Sequence, residues 1–140
     1  MDIKIQRITK TAKLPTRSYS ADTGYDIYVD SYEFDNETNI LTIYTGIAIQ
    51  PDPGFYCEVF PRSSVYKHNM SLANSVGVID ENYTGQIILK FYYHKFPPDV
   101  VVGEKIAQLV VRQRIDANFI EVSYLDNTIR GDGGFGSTGK

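Results

Sequence analysis

The chain has no tryptophan, one cysteine, two methionines and two histidines in 140 residues, and each scarcity removes a class of explanation. A lone cysteine, Cys57, cannot close a disulfide within the chain. Set in the strand-like run FYCEVF with no partner base in view, it reads as a buried structural thiol rather than a nucleophile. His68 and His94 are isolated in the sequence, which argues against zinc and assigns both to surface or core structure. No apolar run approaches the roughly 20 residues of a membrane span. The opening MDIKIQRITK also lacks a signal-peptide core, so the expectation is a soluble intracellular protein, in cytoplasm or nucleus. An excess of positive charge is missing too: the net charge of −3 leaves no electrostatic footprint for a nucleic acid polymer. A small anionic substrate remains open, because it needs only a locally positive site.

Strand-forming residues are abundant. Eleven tyrosines and seven phenylalanines, with valine and isoleucine, favour strands over helices. At this length the chain makes one domain with an ordinary core. The Ile3, Ile5 alternation predicts an edge strand, and a Lys/Thr/Pro loop follows. SADTGYDIYV sets Asp26 among strand formers after Gly24, and ILTIYTGIAIQ alternates as a strand behind the turn-like DNETN. FYCEVF follows the turn Pro51 to Gly54. PRSSVYKHNMS offers the only short helix, capped by Ser63 or Ser64. Ser71 to Val78 and Gln86 to Tyr93 read as two strands joined in a hairpin, with KIAQLVVRQRI and NFIEVSYL as the last two. Many short strands with almost no helix predict an all-β fold, a jelly-roll-like sandwich or barrel. The final RGDGGFGSTGK, residues 130–140, has five glycines in eleven residues and reads as an arm, mobile when nothing is bound, appended to a β domain of residues 1–129.

The chemistry concentrates in GVIDENYTG, Gly77 to Gly85. Asp80 there is either a turn residue bonding its own backbone or a general base, since an ionised carboxylate can orient and deprotonate water. The tail also spells most of a phosphate-loop signature, Gly134 to Lys140, but no Ser/Thr follows the lysine and no helix can follow it. Arg130-Gly131-Asp132 is a chance adhesion tripeptide.

Five stretches, ADTGYDI, PRSS, NSVGVIDENYTGQI, GEKIAQ and RGDGGFGSTG, together resemble the motifs of the trimeric dUTPases, in that family's order from Ala21 nearly to the end. The resemblance implies a homotrimer of jelly-roll-like (β-clip) subunits with three active sites at subunit interfaces, hydrolysing dUTP to dUMP and pyrophosphate with Mg²⁺. It implies that Asp80 activates the attacking water, Tyr83 packs on the deoxyribose, and Asn74 pairs with uracil together with the backbone of Gly77, Val78, Ile79 and Ile88. Arg62, Ser63, Ser64 and Gln108 would contact phosphates, the guanidinium and the N–H groups opening a short helix being suited to phosphate oxygens. Asp26 would act on Mg²⁺ through water, since magnesium keeps several waters and needs only one or two carboxylates. Arg130 would clamp the γ-phosphate, Phe135 stack on uracil, and Gly136, Ser137 and Thr138 wrap the phosphates as the arm closes over a site built by the other two subunits.

Two other readings compete. A dCTP deaminase, related in fold, would need a glutamate ten residues past Asp80, where this chain has Lys90. A non-enzymatic relative used as a binding surface would not need Asp80, Tyr83, Gln108, Arg130 and Phe135 together, and all five are present.

Overall fold

The computed structural model describes residues 1–139; Lys140, which ends both the arm and the phosphate-loop look-alike, lies outside the described residues. Among the described residues nine strands form two antiparallel sheets. They are β1 (Lys4–Arg7), β2 (Tyr25–Tyr28), β3 (Ser31–Asp35), β4 (Ile40–Gln50), β5 (Phe55–Pro61), β6 (Met70–Leu72), β7 (Gly77–Ile79), β8 (Gln86–Tyr93) and β9 (Lys105–Gln113). In the five-stranded sheet β1 and β3 share one edge of β4, followed by β8 and β6. The four-stranded sheet runs β2, β9, β5, β7. This is the expected all-β, jelly-roll-like sandwich.

One apolar layer joins the sheets. β8 alternates strictly, sending Ile87, Leu89, Phe91 and Tyr93 inward and leaving Ile88, Lys90 and Tyr92 outside. Phe91, Leu41, Ile43 and Ile47 meet Ile27, Cys57, Val59 and Ala107 of the facing sheet in one buried cluster. Each fully buried large side chain there contributes about 1.5 to 3 kcal/mol relative to exposure. Cys57 has no solvent exposure, and burial pushes its thiol up to about 11, as a structural role requires.

Three expectations need correction. Ser71 to Val78 is not one strand: the chain turns at Ser75, whose φ of 60° is left-handed, so β6 pairs with β8 while β7 pairs with β5 in the other sheet. The segment around Asp80 is therefore a crossing between sheets and not a hairpin, since β7 and β8 never pair. NFIEVSYL has a strand's composition but forms none, because no strand of its own chain lies beside it; Phe119, Ile120, Tyr124 and Leu125 all stand exposed. The short helix exists as a 3₁₀ turn at Val65–His68, with Ser64 at its start and no side-chain cap bond.

Candidate active site

The crossing from β7 to β8 opens a cavity of about 550 Å³, within the range that holds small ligands. Asn74, Gly77, Val78, Ile79, Asp80, Tyr83 and Ile88 all line it, together with Val59, Leu72, Gln86 and Lys90. β7 is the last strand of its sheet, paired on one side only, Val59 to Gly77 and Cys57 to Ile79. Its other edge therefore keeps unpaired N–H and C=O groups, which can read a planar heterocycle much as a strand reads a neighbour. Asn74 adds an amide that offers donor and acceptor together.

Tyr83 folds back over the turn. Its N–H bonds the carbonyl of Asp80 at 3.0 Å, and its hydroxyl donates to the carbonyl of Gln86 at 2.8 Å. Only glycine at position 85 permits this, because a Cβ there would fall 2.6 Å from the Tyr83 hydroxyl. Asp80 is exposed and borders a second cavity of about 440 Å³ shared with Tyr56, Glu81 and Arg114. The carboxylate thus sits between an apolar recess and an open, charged one. Glu81 holds the turn from behind: it accepts the Gly54 N–H at 2.8 Å and pairs with the Arg114 guanidinium. Asp116 and then Glu81 raise that guanidinium above its ordinary value.

A second cluster lies where β2, β5 and β9 meet. Asp26 stands opposite Gln108 in the β2/β9 register. Its carboxylate binds Arg62 Nε at 3.0 Å and Lys105 Nζ at 2.8 Å, and Lys105 also donates to Ser18 Oγ at 3.1 Å. Gln108 Nε2 donates to the Pro61 carbonyl at 3.2 Å, the residue before Arg62. Gly24 makes room for it: a Cβ there would come within 2.3 Å of Gln108 Oε1. Two cations around one carboxylate leave a locally positive patch in an acidic chain, with Ser63 and Ser64 beside it. Both Asp26 oxygens are occupied by cations, so direct capture of a metal is disfavoured. A carboxylate has further lone pairs, and those fit contact with metal-bound water. Among the described residues no group of three His, Cys, Asp or Glu could hold an ion.

The arm makes a third group. Beyond Asp116 its hydrogen bonds, among the described residues, run within 128–139, as in Arg130 Nε to the Gly133 carbonyl at 3.0 Å. Phe135, Gly136, Ser137 and Thr138 are exposed, and neither they nor Arg130 line the cavity. Within one chain the three groups of expected site residues do not meet.

Several contributors escaped the motif reading. Lys105 and Glu81 carry charge inside the quoted motifs, but their partners lie far away in sequence. His68 is not isolated: its ring lies 2.9 Å from Asp99 and 3.3 Å from Glu104. No spacing rule would have found those contacts.

Comparison with known proteins agrees with this geometry. The family model for dUTPase matches residues 10–139. A deoxyuridine 5'-triphosphate nucleotidohydrolase of Gloeothece citriformis is 37% identical, covering 99% of this chain and 97% of its own. One of Arabidopsis thaliana is 34% identical, covering 97% and 82%. Among solved structures, the Staphylococcus bacteriophage 80alpha dUTPase with dUPNHPP superposes with a TM-score of 0.80 at 21% identity, over 99% of both chains, which supports the fold alone. No helix of the described residues is long and apolar enough to cross a membrane. With a cavity bounded by a free strand edge, Asp80 at its mouth and a family model matched over nearly the whole length, the chain belongs to the dUTPase family.

Proposed function

We propose that this chain hydrolyses dUTP to dUMP and pyrophosphate, limiting uracil in DNA and supplying dUMP for thymidylate synthesis. The observation that carries this reading is the cavity that gathers Asn74, the edge of β7, Tyr83 and Ile88 and opens at Asp80. Uracil presents an acceptor, a donor and an acceptor along one edge. The backbone of Gly77, Val78, Ile79 and Ile88, with the Asn74 amide, supplies complementary groups. Tyr83, pinned by Gln86, lies against the deoxyribose where a 2′-hydroxyl would clash.

Asp80 accepts a proton from a water whose oxygen bonds to the α-phosphorus, while the bond from that phosphorus to the bridging oxygen breaks and pyrophosphate leaves. General-base help of this kind supplies about 10²- to 10⁴-fold; positioning and charge stabilisation supply the rest. Arg62, the turn at Ser63 and Ser64, and Gln108 hold phosphate oxygens. Mg²⁺ carried by the triphosphate would offset its charge, and Asp26, already paired with Arg62 and Lys105, would act on it through bound water.

We further read the enzyme as a homotrimer with sites shared between subunits. The separation of nucleoside cavity, phosphate patch and arm within one chain supports this, as do the exposed apolar residues of the segment before the arm, Phe119, Ile120, Tyr124 and Leu125. Residues 130–140 then close over a neighbour's site, Arg130 on the γ-phosphate, Phe135 on uracil, and Gly136 to Thr138 around the phosphates, excluding water.

The test is pyrophosphate release from dUTP, dCTP, dTTP and UTP with Mg²⁺, on protein whose mass in solution is measured. Release from dUTP alone, by a trimer, is expected. A folded trimer inert toward dUTP would point to a binding module instead, and ammonia from dCTP would point to the deaminase.

A further inference from the structure

We propose that His68 is a positioning residue for the triphosphate: its ring straps the turn carrying Arg62 to Ser64 onto the loop that leads into β9, keeping the two halves of the phosphate patch in register. The inference rests on the phosphate-site reading above. His68 ends the 3₁₀ turn that begins directly after Ser64. Its Nδ1 lies 2.9 Å from Asp99 Oδ1 and its Nε2 lies 3.3 Å from Glu104 Oε2. A neutral imidazole has one N–H and can donate to one of these carboxylates; the imidazolium donates to both.

The two acceptors are held without the histidine. Tyr93 donates its hydroxyl to Asp99 Oδ1 at 2.6 Å and accepts the Asp99 N–H at 2.9 Å. Glu104 Oε1 accepts the Val101 N–H at 2.8 Å. The turn itself packs on the core through Val65, and none of its four residues is fully buried. Glu104 adjoins Lys105, which grips Asp26, which grips Arg62, so His68 closes a ring of contacts around the patch. Opening that ring leaves Arg62 held by Asp26 and by the β5/β9 pairing at Pro61, and frees the turn of Ser63 and Ser64 beyond it.

Around the ring stand Asp99 and Glu104 from the loop, Tyr93 from β8 behind Asp99, and Lys67 on the turn itself. Lys13 of the N-terminal segment caps the Gly103 carbonyl nearby. A ring that donates to both carboxylates completes the strap, and a ring that donates to only one leaves it half-made.

The experiment measures binding of a non-hydrolysable imido analogue of dUTP, and of dUMP, to the intact protein and to His68→Gln. Glutamine places a single donor nitrogen and cannot bridge both carboxylates. The variant should bind the analogue about tenfold more weakly than the intact protein, with dUMP binding alike in both proteins. Unchanged analogue binding by the variant overturns the proposal, as does an equal loss for dUMP, which would mean general damage. Nitrogen-15 shifts of the His68 ring, read without nucleotide, provide an independent arm: a ring whose two nitrogens are not hydrogen-bonded to Asp99 and Glu104 overturns the strap even if no nucleotide binds. Failure of the intact protein to bind the analogue would instead sink the dUTP reading.

Discussion

A single methyl added at Gly24 tests how tightly the phosphate patch is built. Its Cβ would lie 2.3 Å from Gln108 Oε1 and 3.1 Å from both Gln108 Cβ and Cδ. The amide can swing away, but doing so breaks its bond to the Pro61 carbonyl at 3.2 Å, a loss of about 0.5 to 1.5 kcal/mol. Rotation cannot relieve the contact with Gln108 Cβ, so β2 and β9 must part slightly, at an overpacking cost of about 1 to 3 kcal/mol. Alanine's stiffer unfolded chain offsets about 0.4 to 1 kcal/mol. Gly24→Ala should therefore destabilise the protein by about 2 kcal/mol, a fall in Tm of about 4 to 8 °C for a chain of this size. Because Pro61 precedes Arg62, KM for dUTP should rise about tenfold with kcat little changed. Thermal unfolding and steady-state kinetics read both effects. In a Gln108→Ala background the amide bond is already gone while the contact with Cβ remains, so the same substitution should cost less by about 0.5 to 1.5 kcal/mol, the coupling expected of residues in contact. An unchanged Tm and KM, or an identical cost in both backgrounds, would refute the reasoning.

Gly85→Ala should push the Tyr83 ring out of place and break its bond to Gln86, so that discrimination between dUTP and UTP falls at least about tenfold; comparing kcat/KM for the two nucleotides checks this. Cys57 should resist thiol reagents in the native protein at pH 8 and react fully once unfolded. Burial holds its thiol at about 11, above its ordinary value of 9.0, so the folded chain keeps a proton that the unfolded chain releases. The stability associated with that difference, about 2 to 3 kcal/mol, is present below pH 9 and is lost as pH rises toward 11. Tm should fall across that window in the intact protein and less in Cys57→Ala.

Much of the architecture was legible because it is local. ILTIYTGIAIQ forms β4 over its whole length, and Gln86 to Tyr93 forms β8 with strict alternation. The lining of the cavity at the β7/β8 crossing was legible for a similar reason: Asn74 to Tyr83 is one short stretch, and one crossing segment brings it together. What sequence could not supply is pairing. Ser71 to Val78 has continuous strand composition, yet the left-handed backbone at Ser75 divides it between two sheets. NFIEVSYL has a strand's side chains but no partner in its own chain. His68 and Lys105 acquire roles only when Asp99, Glu104 and Asp26 arrive from distant segments, and spacing along the chain carries no trace of that.

Hydrolysis of dUTP in oxygen-18 water, by the intact protein and by Asp80→Asn, tests the central claim most directly. Attack on the α-phosphorus by a water that Asp80 deprotonates predicts label in dUMP and none in pyrophosphate, with turnover reduced at least about 100-fold in the variant. Label in pyrophosphate, or turnover in the variant equal to that of the intact protein, would contradict the account.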